Sequence, residues 1–514
     1  MTNRDLEAAW AYHNGTKHSY ESIYTDPHHL DWENQPLPFK IYTQLESLPL
    51  PRDLLSAGVP ALSAVSAFNP PAEAPSVPSL ALLGSLLYFS AGITKRKQYP
   101  GGEILFRAAA CTGALYHIEL YLVCGDLPDL KAGVYHFGPG DFALHRLRQG
   151  DYRGALVQAT GGEQAVATAP LTVICTGTYW RNAWKYRSRT YRHCFWDTGT
   201  ILANLLAVAA AHTVPAKIVM GFVDATVNAL LGLDVEREVA LTLVTLGHDP
   251  QTQPGSPPPI EPLVLETIPL SNTEVDYPAI RAMHAASSLS HAAEAAAWRG
   301  LSPSPARPEA TGELFPLNPL SDADIPPDSV EQVILRRGSS RRFARLPISF
   351  TQLSTALQRA TQGIPADFLD PPAAMLNDLY LIVNAVDDLP SGTYVFRRDR
   401  QALELLRRGS SRRDAGYLGL MQEIPADASV DIYFMADLHA VLERYGNRGY
   451  RAAQLEAGIM GGKLYLSAYA QHLGASGLTF FDDDVTHFFS PHAADKSVMF
   501  LVALGKAGKQ RQEL

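Results

Sequence analysis

The chain of 514 residues contains a partial copy of itself, displaced by 259 positions. The segment WKYRSRTYRHCFWDTGTILAN (184–204) returns in part as ERYGNRGYRAAQLEAGIMGGK (443–463). LYLVC returns as LYLIV and AGVYHF as SGTYVF at the same offset, and LVTLGH is matched by LVALGK. A repeat of this length predicts two copies of one α+β domain rather than a solenoid of short repeats.

The duplication leaves two arrangements open. The two copies could pack as an intramolecular pseudo-dimer, which we favour, or they could be independent domains on a string. We predict an N-terminal arm at 1–75 and a first domain at 76–249. A Pro/Ser-rich linker with one helix, over Tyr277–Trp298, is predicted at 250–328, and a second domain at 329–514.

Composition excludes several protein classes. The net charge of −9 argues against a nucleic-acid-binding protein, whose surface would be basic. The four cysteines have no C-x-x-C spacing, which excludes a disulfide framework and suits a reducing cytoplasm. The N-terminus has no apolar core of a secretion signal, and the apolar run 201–233 is too interrupted for a membrane span. We therefore expect a cytoplasmic protein that binds neither membrane nor nucleic acid.

Four segments resemble the FMN-dependent nitroreductase-like fold and, within it, the SagB-type dehydrogenases that oxidise azolines (thiazolines and oxazolines). They are AWAYHNGTKHS (9–19), RAAACTGALYHIELY (107–121), WKYRSRTYR with the following DTG (184–199), and RGSSRRF (337–343). The sequence departs from the family pattern at two places: Ala110–Cys111 replaces Pro-Ser, and Thr200 replaces a histidine. The resemblance implies two tandem domains of this fold, with FMN bound where the domains meet.

The second copy carries the cations expected around a flavin phosphate. A phosphate needs several fixed cations and hydroxyl donors, and the RGSSRRF turn supplies both. The end of this copy adds further cations, whereas the first copy offers only Lys17 and His18 in TKHS. We predict phosphate binding by Arg337, Ser339, Ser340, Arg341, Lys506 and Lys509.

The first copy carries the residues expected around the flavin ring. A glycine there lets backbone N–H groups approach the ring edge. In the second copy the aligned positions hold Ala366, Asp370, Pro371 and Pro372. The carboxylate of Asp370 would repel an anionic flavin, and the two prolines have no backbone N–H to donate. We predict ring contacts from Arg107, Cys111, Thr112 and Gly113. One composite FMN site per chain follows, with the other pseudo-symmetric site lost.

Lys185 and Tyr186 are the predicted catalytic pair. The resemblance implies that they carry the proton chemistry of azoline dehydrogenation, in which a hydride goes to the flavin and a base takes a proton. A lysine beside an arginine cluster can have its pKa lowered enough to act as that base. Arg444 stands at the matching position of the second copy, and arginine is not a usable base.

Three functions remain open from the sequence. The first is an FMN-dependent dehydrogenase acting on azolines in a modified peptide, with a cyclodehydratase as a possible partner. The second is a nitro- or quinone reductase using NAD(P)H, which this fold binds without a G-x-G-x-x-G motif. The third is a flavin- or peptide-binding protein without turnover. We predict no metal, because the acidic run at 482–484 is more typical of a helix N-terminus.

Overall fold

The structure is a computed structural model, which describes residues 2–25, 27–67, 74–99, 102–300, 309–371 and 374–508. Two large sheets dominate it. Within the described residues each has seven strands, all paired antiparallel. In spatial order, the first consists of Ser47–Pro49, Ala143–Gln149, Gly133–Gly138, Ile118–Cys124, Leu171–Thr178, Glu238–Leu246 and Ala216–Val219. The second consists of Leu314–Pro316, Ala402–Arg408, Gly392–Arg397, Asn377–Val383, Val430–Ala436, Ser497–Gly505 and Gly474–Leu478.

Helices cover the sheets. Those of the N-terminal half are Glu7–Gly15, Tyr20–Thr25, Ala61–Ser66, Leu80–Ala91, Arg153–Ala159, Gln164–Ala167, Tyr179–Tyr186, Thr190–Ala211 and Asp224–Leu231. Pro278–Ala286 and Ala292–Trp298 follow. The C-terminal half adds Val330–Arg336, Phe350–Ala360, Arg412–Leu418, Glu423–Asp427, Leu438–Tyr445, Arg448–Ala470 and Asp482–Phe489. The two strand orders coincide under the sequence repeat, which confirms the predicted tandem α+β architecture.

The two longest helices form the centre of the molecule. We call Thr190–Ala211 the first core helix and Arg448–Ala470 the second core helix. Nearly every residue of both is buried, as expected for helices packed on all sides. The continuous helical stretch Tyr179–Ala211 is long and apolar enough to cross a membrane, but it lies in this core.

The core helices cross where the repeat places a glycine in each. A Cβ atom on Gly199 would lie 2.5 Å from the backbone carbon of Gly458, and one on Gly458 would lie 2.7 Å from the carbonyl oxygen of Trp196. A side chain at either position would separate the helices. This contact explains why the glycine is present in both copies, and it joins the halves as a pseudo-dimer.

Two buried ion clusters join the halves in opposite directions. Arg189, the N-cap of the first core helix, and Arg192 within that helix bind Asp482 of the C-terminal half, at 3.0 and 2.6 Å. Arg448 and Arg451 of the second core helix bind Asp224 of the N-terminal half, at 2.6 and 2.7 Å. The arginines present in both copies therefore belong to the scaffold.

The segment between the domains contributes to one of these clusters. The sequence predicts one helix over Tyr277–Trp298, whereas the structure has two, because the N–H of Leu289 between them donates to Asp224 (2.9 Å). The first of them, Pro278–Ala286, is the spatial counterpart of Glu7–Gly15. The carbonyl of His284 accepts from Arg451 as that of His13 accepts from Arg192, each at 2.7 Å. The domain boundaries themselves remain predictions.

Candidate active site

A cavity of about 340 Å³ opens where the two halves meet, and we call it cavity A. The N-terminal half lines it with Ala110, Cys111, Thr112, Gly113, Lys185, Tyr186, His193, Trp196, Asp197 and Thr200. The C-terminal half lines it with Ser339, Arg341, Gln422, Ile424, Tyr465, Ser476, Gly477, Leu478, Thr479 and Phe500. Seven of the twelve residues predicted for the site therefore surround one space: Cys111, Thr112, Gly113, Lys185, Tyr186, Ser339 and Arg341.

One wall of cavity A is a tight turn held by the first core helix. The carboxylate of Asp197 accepts hydrogen bonds from the backbone N–H (2.9 Å) and hydroxyl (2.8 Å) of Thr112, and from the Cys111 thiol (3.0 Å). Burial raises the pKa of Asp197 to about 6. Gly113 has φ = 63°, and a Cβ there would lie 2.8 Å from the Tyr186 hydroxyl. Only glycine allows the backbone to approach so closely.

Lys185 and Tyr186 end the helix Tyr179–Tyr186 at this cavity. Partial burial, and then the positive charge of Arg341, lower the pKa of Lys185. Burial, and then Asp197, raise the pKa of Tyr186, so the phenol stays protonated. Its ring packs edge-on against His193, with centroids 4.7 Å apart. The pair thus combines an amine that loses its proton more readily than usual with a fixed hydroxyl donor.

The basic turn of the second copy divides into two roles. Ser339 and Arg341 line cavity A, and both are exposed. Arg337 instead binds the first copy, because its guanidinium donates to the carbonyls of Ala108 (2.9 Å) and Arg107 (3.1 Å). Ser340 is buried, and its hydroxyl has no hydrogen-bond partner among the described residues.

The remaining predicted residues that the structure describes lie outside the lining of cavity A. The guanidinium of Arg107 is buried and donates to the carbonyl of Pro38 (2.6 Å). Lys506 is exposed and pairs through its backbone with Ala344 (2.9 Å), beside the basic turn. Lys509 and Pro372 lie outside the described residues.

Sequence reasoning did not predict several polar residues that line cavity A, among them Tyr465 and Thr479. The Tyr465 hydroxyl lies 3.2 Å from that of Ser339 and accepts from the N–H of Gly477. The hydroxyl of Thr479 is buried without a partner in the described part of the chain. Asp197, a member of the DTG motif to which the sequence assigns no specific role, organises the ring-side turn. Tyr465 had a usable signal, since Leu206 stands at the matching position of the first copy.

Cavity A fits a flavin phosphate. The guanidinium of Arg341 and several hydroxyls face one space, and Thr479 offers a hydroxyl that no described residue engages. Anions bind where fixed cations and hydroxyl donors converge. Arg341 and Ser339 are the candidate phosphate ligands, and the turn at Thr112–Gly113 is the candidate ring contact.

The pseudo-symmetric position holds a second cavity of about 410 Å³, which we call cavity B. Its charged lining residues are Glu163, Lys217, Arg299, Asp367 and Asp370. Both cations bind Glu163, at 2.9 Å for Lys217 and 3.1 Å for Arg299. One carboxylate thus engages both cations, and the two aspartates oppose an anion.

Asp367 also engages the backbone of cavity B. Its carboxylate accepts from the N–H groups of Met220 (2.9 Å) and Gly221 (2.8 Å), and burial raises its pKa to about 6. The corresponding segment of the C-terminal half contains Thr479, which lines cavity A. Arg444, the counterpart of Lys185, donates instead to the carbonyl of Arg299 (3.1 Å) and does not line cavity B. The two cavities have therefore diverged.

Comparison with known proteins gives the family. The model of the nitroreductase family matches residues 115–248 and 334–506, one region in each half. The crystal structure of a protein from Anabaena variabilis described as a nitroreductase superposes with a TM-score of 0.76 at 26% identity, covering 98% of this chain and 99% of that one.

Two curated proteins match part of the chain. The protein MJ1384 of Methanocaldococcus jannaschii, named as a nitroreductase, is 23% identical over 166 residues, which are 32% of this chain and 79% of that protein. The microcin B17-processing protein McbC of Escherichia coli is 27% identical over 159 residues, which are 30% of this chain and 54% of McbC. With both halves matched by the family model, the chain belongs to the nitroreductase family of flavin-dependent oxidoreductases.

Proposed function

We propose that the protein is an FMN-dependent dehydrogenase that oxidises azoline rings in a modified peptide, with one FMN per chain in cavity A. The observation that carries this proposal is the position of Lys185 and Tyr186 in the wall of the cavity that also contains Arg341 and Ser339. The likeness to McbC, a protein named for processing microcin B17, supports a peptide substrate.

The proposed chemistry divides between cofactor and protein. FMN, when bound, supplies the hydride acceptor. Lys185 takes the proton from the ring, because burial and Arg341 favour its neutral amine. The Tyr186 hydroxyl orients the substrate by donating a hydrogen bond, since its raised pKa keeps the proton in place. A cyclodehydratase that makes the ring is the expected partner, and the cytoplasm the expected location.

The departures at Ala110–Cys111 and Thr200 are compatible with a working site. Burial, and then Asp197, raise the pKa of Cys111, so this residue acts as a neutral hydrogen-bond donor. The Thr200 hydroxyl donates to the carbonyl of Ala110 (2.6 Å) and so braces the ring-side turn. Both residues therefore maintain the shape of the cavity wall.

The test compares Lys185→Ala with Arg444→Lys, a change at the matching position of the second copy. Removing a general base costs about 10²–10⁴-fold in rate. We expect Lys185→Ala to lose at least about 100-fold of azoline turnover with FMN still bound, while Arg444→Lys keeps wild-type turnover. Undiminished turnover in Lys185→Ala would remove the proposed base.

A nitro- or quinone reductase is the second candidate, favoured by the match to the nitroreductase family model. It predicts rapid reduction of the bound flavin by NADPH in the absence of oxygen, unaffected by Lys185→Ala. That result, together with no turnover of any azoline, would replace the first proposal.

A further inference from the structure

Four exposed side chains form one cluster beside cavity A, and we call it the mouth cluster. Its members are Tyr20 (52% exposed), Tyr24 (54%), Tyr417 (41%) and Met421 (46%). The rings of Tyr20 and Tyr24 pack at a tilt of 37° with centroids 4.6 Å apart, and the Tyr24 hydroxyl lies 3.9 Å from the Met421 sulfur. Tyr417 is close enough to Tyr20 for the two phenols to interact electrostatically.

The cluster is continuous with the wall of cavity A. Met421 directly precedes Gln422, which lines the cavity together with Ile424. Both halves contribute to the cluster, since Tyr20 and Tyr24 belong to the N-terminal arm and Tyr417 and Met421 to the second domain. We expect a ligand that extends out of cavity A past Gln422 to meet the cluster.

The backbone at Met421 gives a second, independent observation. Leu420 and Met421 both have left-handed conformations, with φ of 59° and 56°. The matching turn of the first half has φ of 60° and 76° at Gly161 and Gly162. Glycine adopts this conformation freely, whereas side chains are strained in it. The second half thus keeps a strained turn that places a large, exposed thioether where its copy has no side chain.

We infer that the mouth cluster is the docking surface for the peptide chain that carries the ring into cavity A. This inference rests on the proposed function. Tyrosine and methionine provide broad contact area with adaptable geometry, and they are typical of surfaces that bind peptides of varied sequence. Tyr20 and Tyr24 do not line cavity A, so we expect a substrate with flanking residues, rather than a single ring, to use the cluster.

The test measures KM and kcat for two substrates, a peptide with one thiazoline flanked by residues on both sides and a single-ring thiazoline amide. The variants are Tyr24→Ala and Met421→Gly. We expect KM for the peptide to rise about tenfold, with kcat unchanged, because a contact anchor is lost. KM for the single ring should stay at the wild-type value.

Met421→Gly has a matched control in Gln401→Gly. Gln401 is exposed and also left-handed, with φ = 45°, in a hairpin of the same half. Both substitutions relieve backbone strain, so both should raise the melting temperature, but only Met421→Gly should raise KM for the peptide. If Met421 had a purely structural role, its replacement would not weaken substrate binding while it stabilises the protein.

Each other outcome contradicts either the docking inference or the proposed function. An unchanged peptide KM in both variants would show that the cluster does not dock the substrate. A changed oligomeric state with unchanged KM would assign it to self-association. If the wild-type enzyme oxidises both substrates and only the peptide KM of the variants stays unchanged, the docking inference fails alone. If it oxidises the single ring but not the peptide, the peptide part of the proposed function fails with it. If it oxidises neither, the proposed function fails as well.

Discussion

Replacing Asp224 should show how much the buried ion cluster between the halves contributes to the free energy of unfolding, compared with an ion pair on the surface. Asp224 is buried and binds Arg448 and Arg451 of the opposite half at 2.6 and 2.7 Å. Burial alone would raise its pKa, but the two arginines outweigh burial and lower it from 3.8 to about 2. At 1.36 kcal/mol per pKa unit, the ionised carboxylate contributes about 2 kcal/mol at neutral pH.

Asp224→Asn should cost more than this value, because it leaves two buried guanidinium groups without their counter-charge. Breaking a buried pair in this way costs about 3–5 kcal/mol. The assay is the free energy of unfolding from urea denaturation at pH 7. Because the folded pKa is depressed, the wild-type contribution is present above about pH 4 and is lost as pH falls towards 2, so the two proteins should converge in acid.

Asp276→Asn is the control. Asp276 binds Arg281 at the same 2.6 Å, but its side chain is 50% exposed. An exposed pair contributes at most about 1 kcal/mol. Equal, small losses for the two variants would refute the conclusion that burial between the halves gives the Asp224 cluster its strength.

Three further predictions concern the helix crossing and the two cavities. Gly199→Ala should destabilise the fold by about 1–3 kcal/mol in urea denaturation, despite the better helix propensity of alanine, because its Cβ would lie 2.5 Å from the backbone of Gly458. Arg341→Gln should weaken FMN binding about 10–100-fold in a fluorescence titration, and it should move the Lys185 limb of the pH–rate profile to higher pH. Burial raises the pKa of Asp367 in the folded protein to about 6, so the fold favours the protonated carboxyl group. The free energy of unfolding of the wild type should therefore fall by about 3 kcal/mol as the pH rises from about 4 to 6. Asp367→Asn should remove this fall.

Their contradicting results are equally direct. An alanine at Gly199 that leaves stability unchanged would mean that the core helices separate without cost. Unchanged FMN affinity in Arg341→Gln would exclude that residue as a phosphate ligand. An unaltered slope of stability against pH in Asp367→Asn would assign the titration to another buried carboxyl group.

The repeat predicted two copies of one α+β domain, and the family resemblance added the nitroreductase-like fold and a site with residues from both copies, as cavity A has. Aligned positions that stay equal, such as Gly199 and Gly458, proved to be contacts between the copies. Positions that differ, such as Lys185 and Arg444, proved to be places where the two cavities differ: Lys185 lines cavity A, whereas Arg444 binds the carbonyl of Arg299. Comparison of the copies therefore carried physical information that composition did not.

The cross-half contacts could not be predicted because they are out of register with the offset of 259. Asp482 follows its counterpart Asp224 by 258 positions, and His284 follows His13 by 271. The larger shift reflects twelve extra residues near the hairpin Ile93–Tyr99 and Gly102–Arg107 of the first half. Burial of Arg107 away from cavity A was also unpredictable, because its partner, the carbonyl of Pro38, lies in a segment without periodicity.

The number of flavins per chain tests the central claim most directly, namely that one composite site remains of two. Protein purified gently and saturated with FMN should bind one equivalent per chain, measured by flavin absorbance against protein concentration. Arg341→Gln in the second half and Gly113→Val in the first should each lower the occupancy of that same site. Two equivalents in the wild type, or none after reconstitution, would contradict the account.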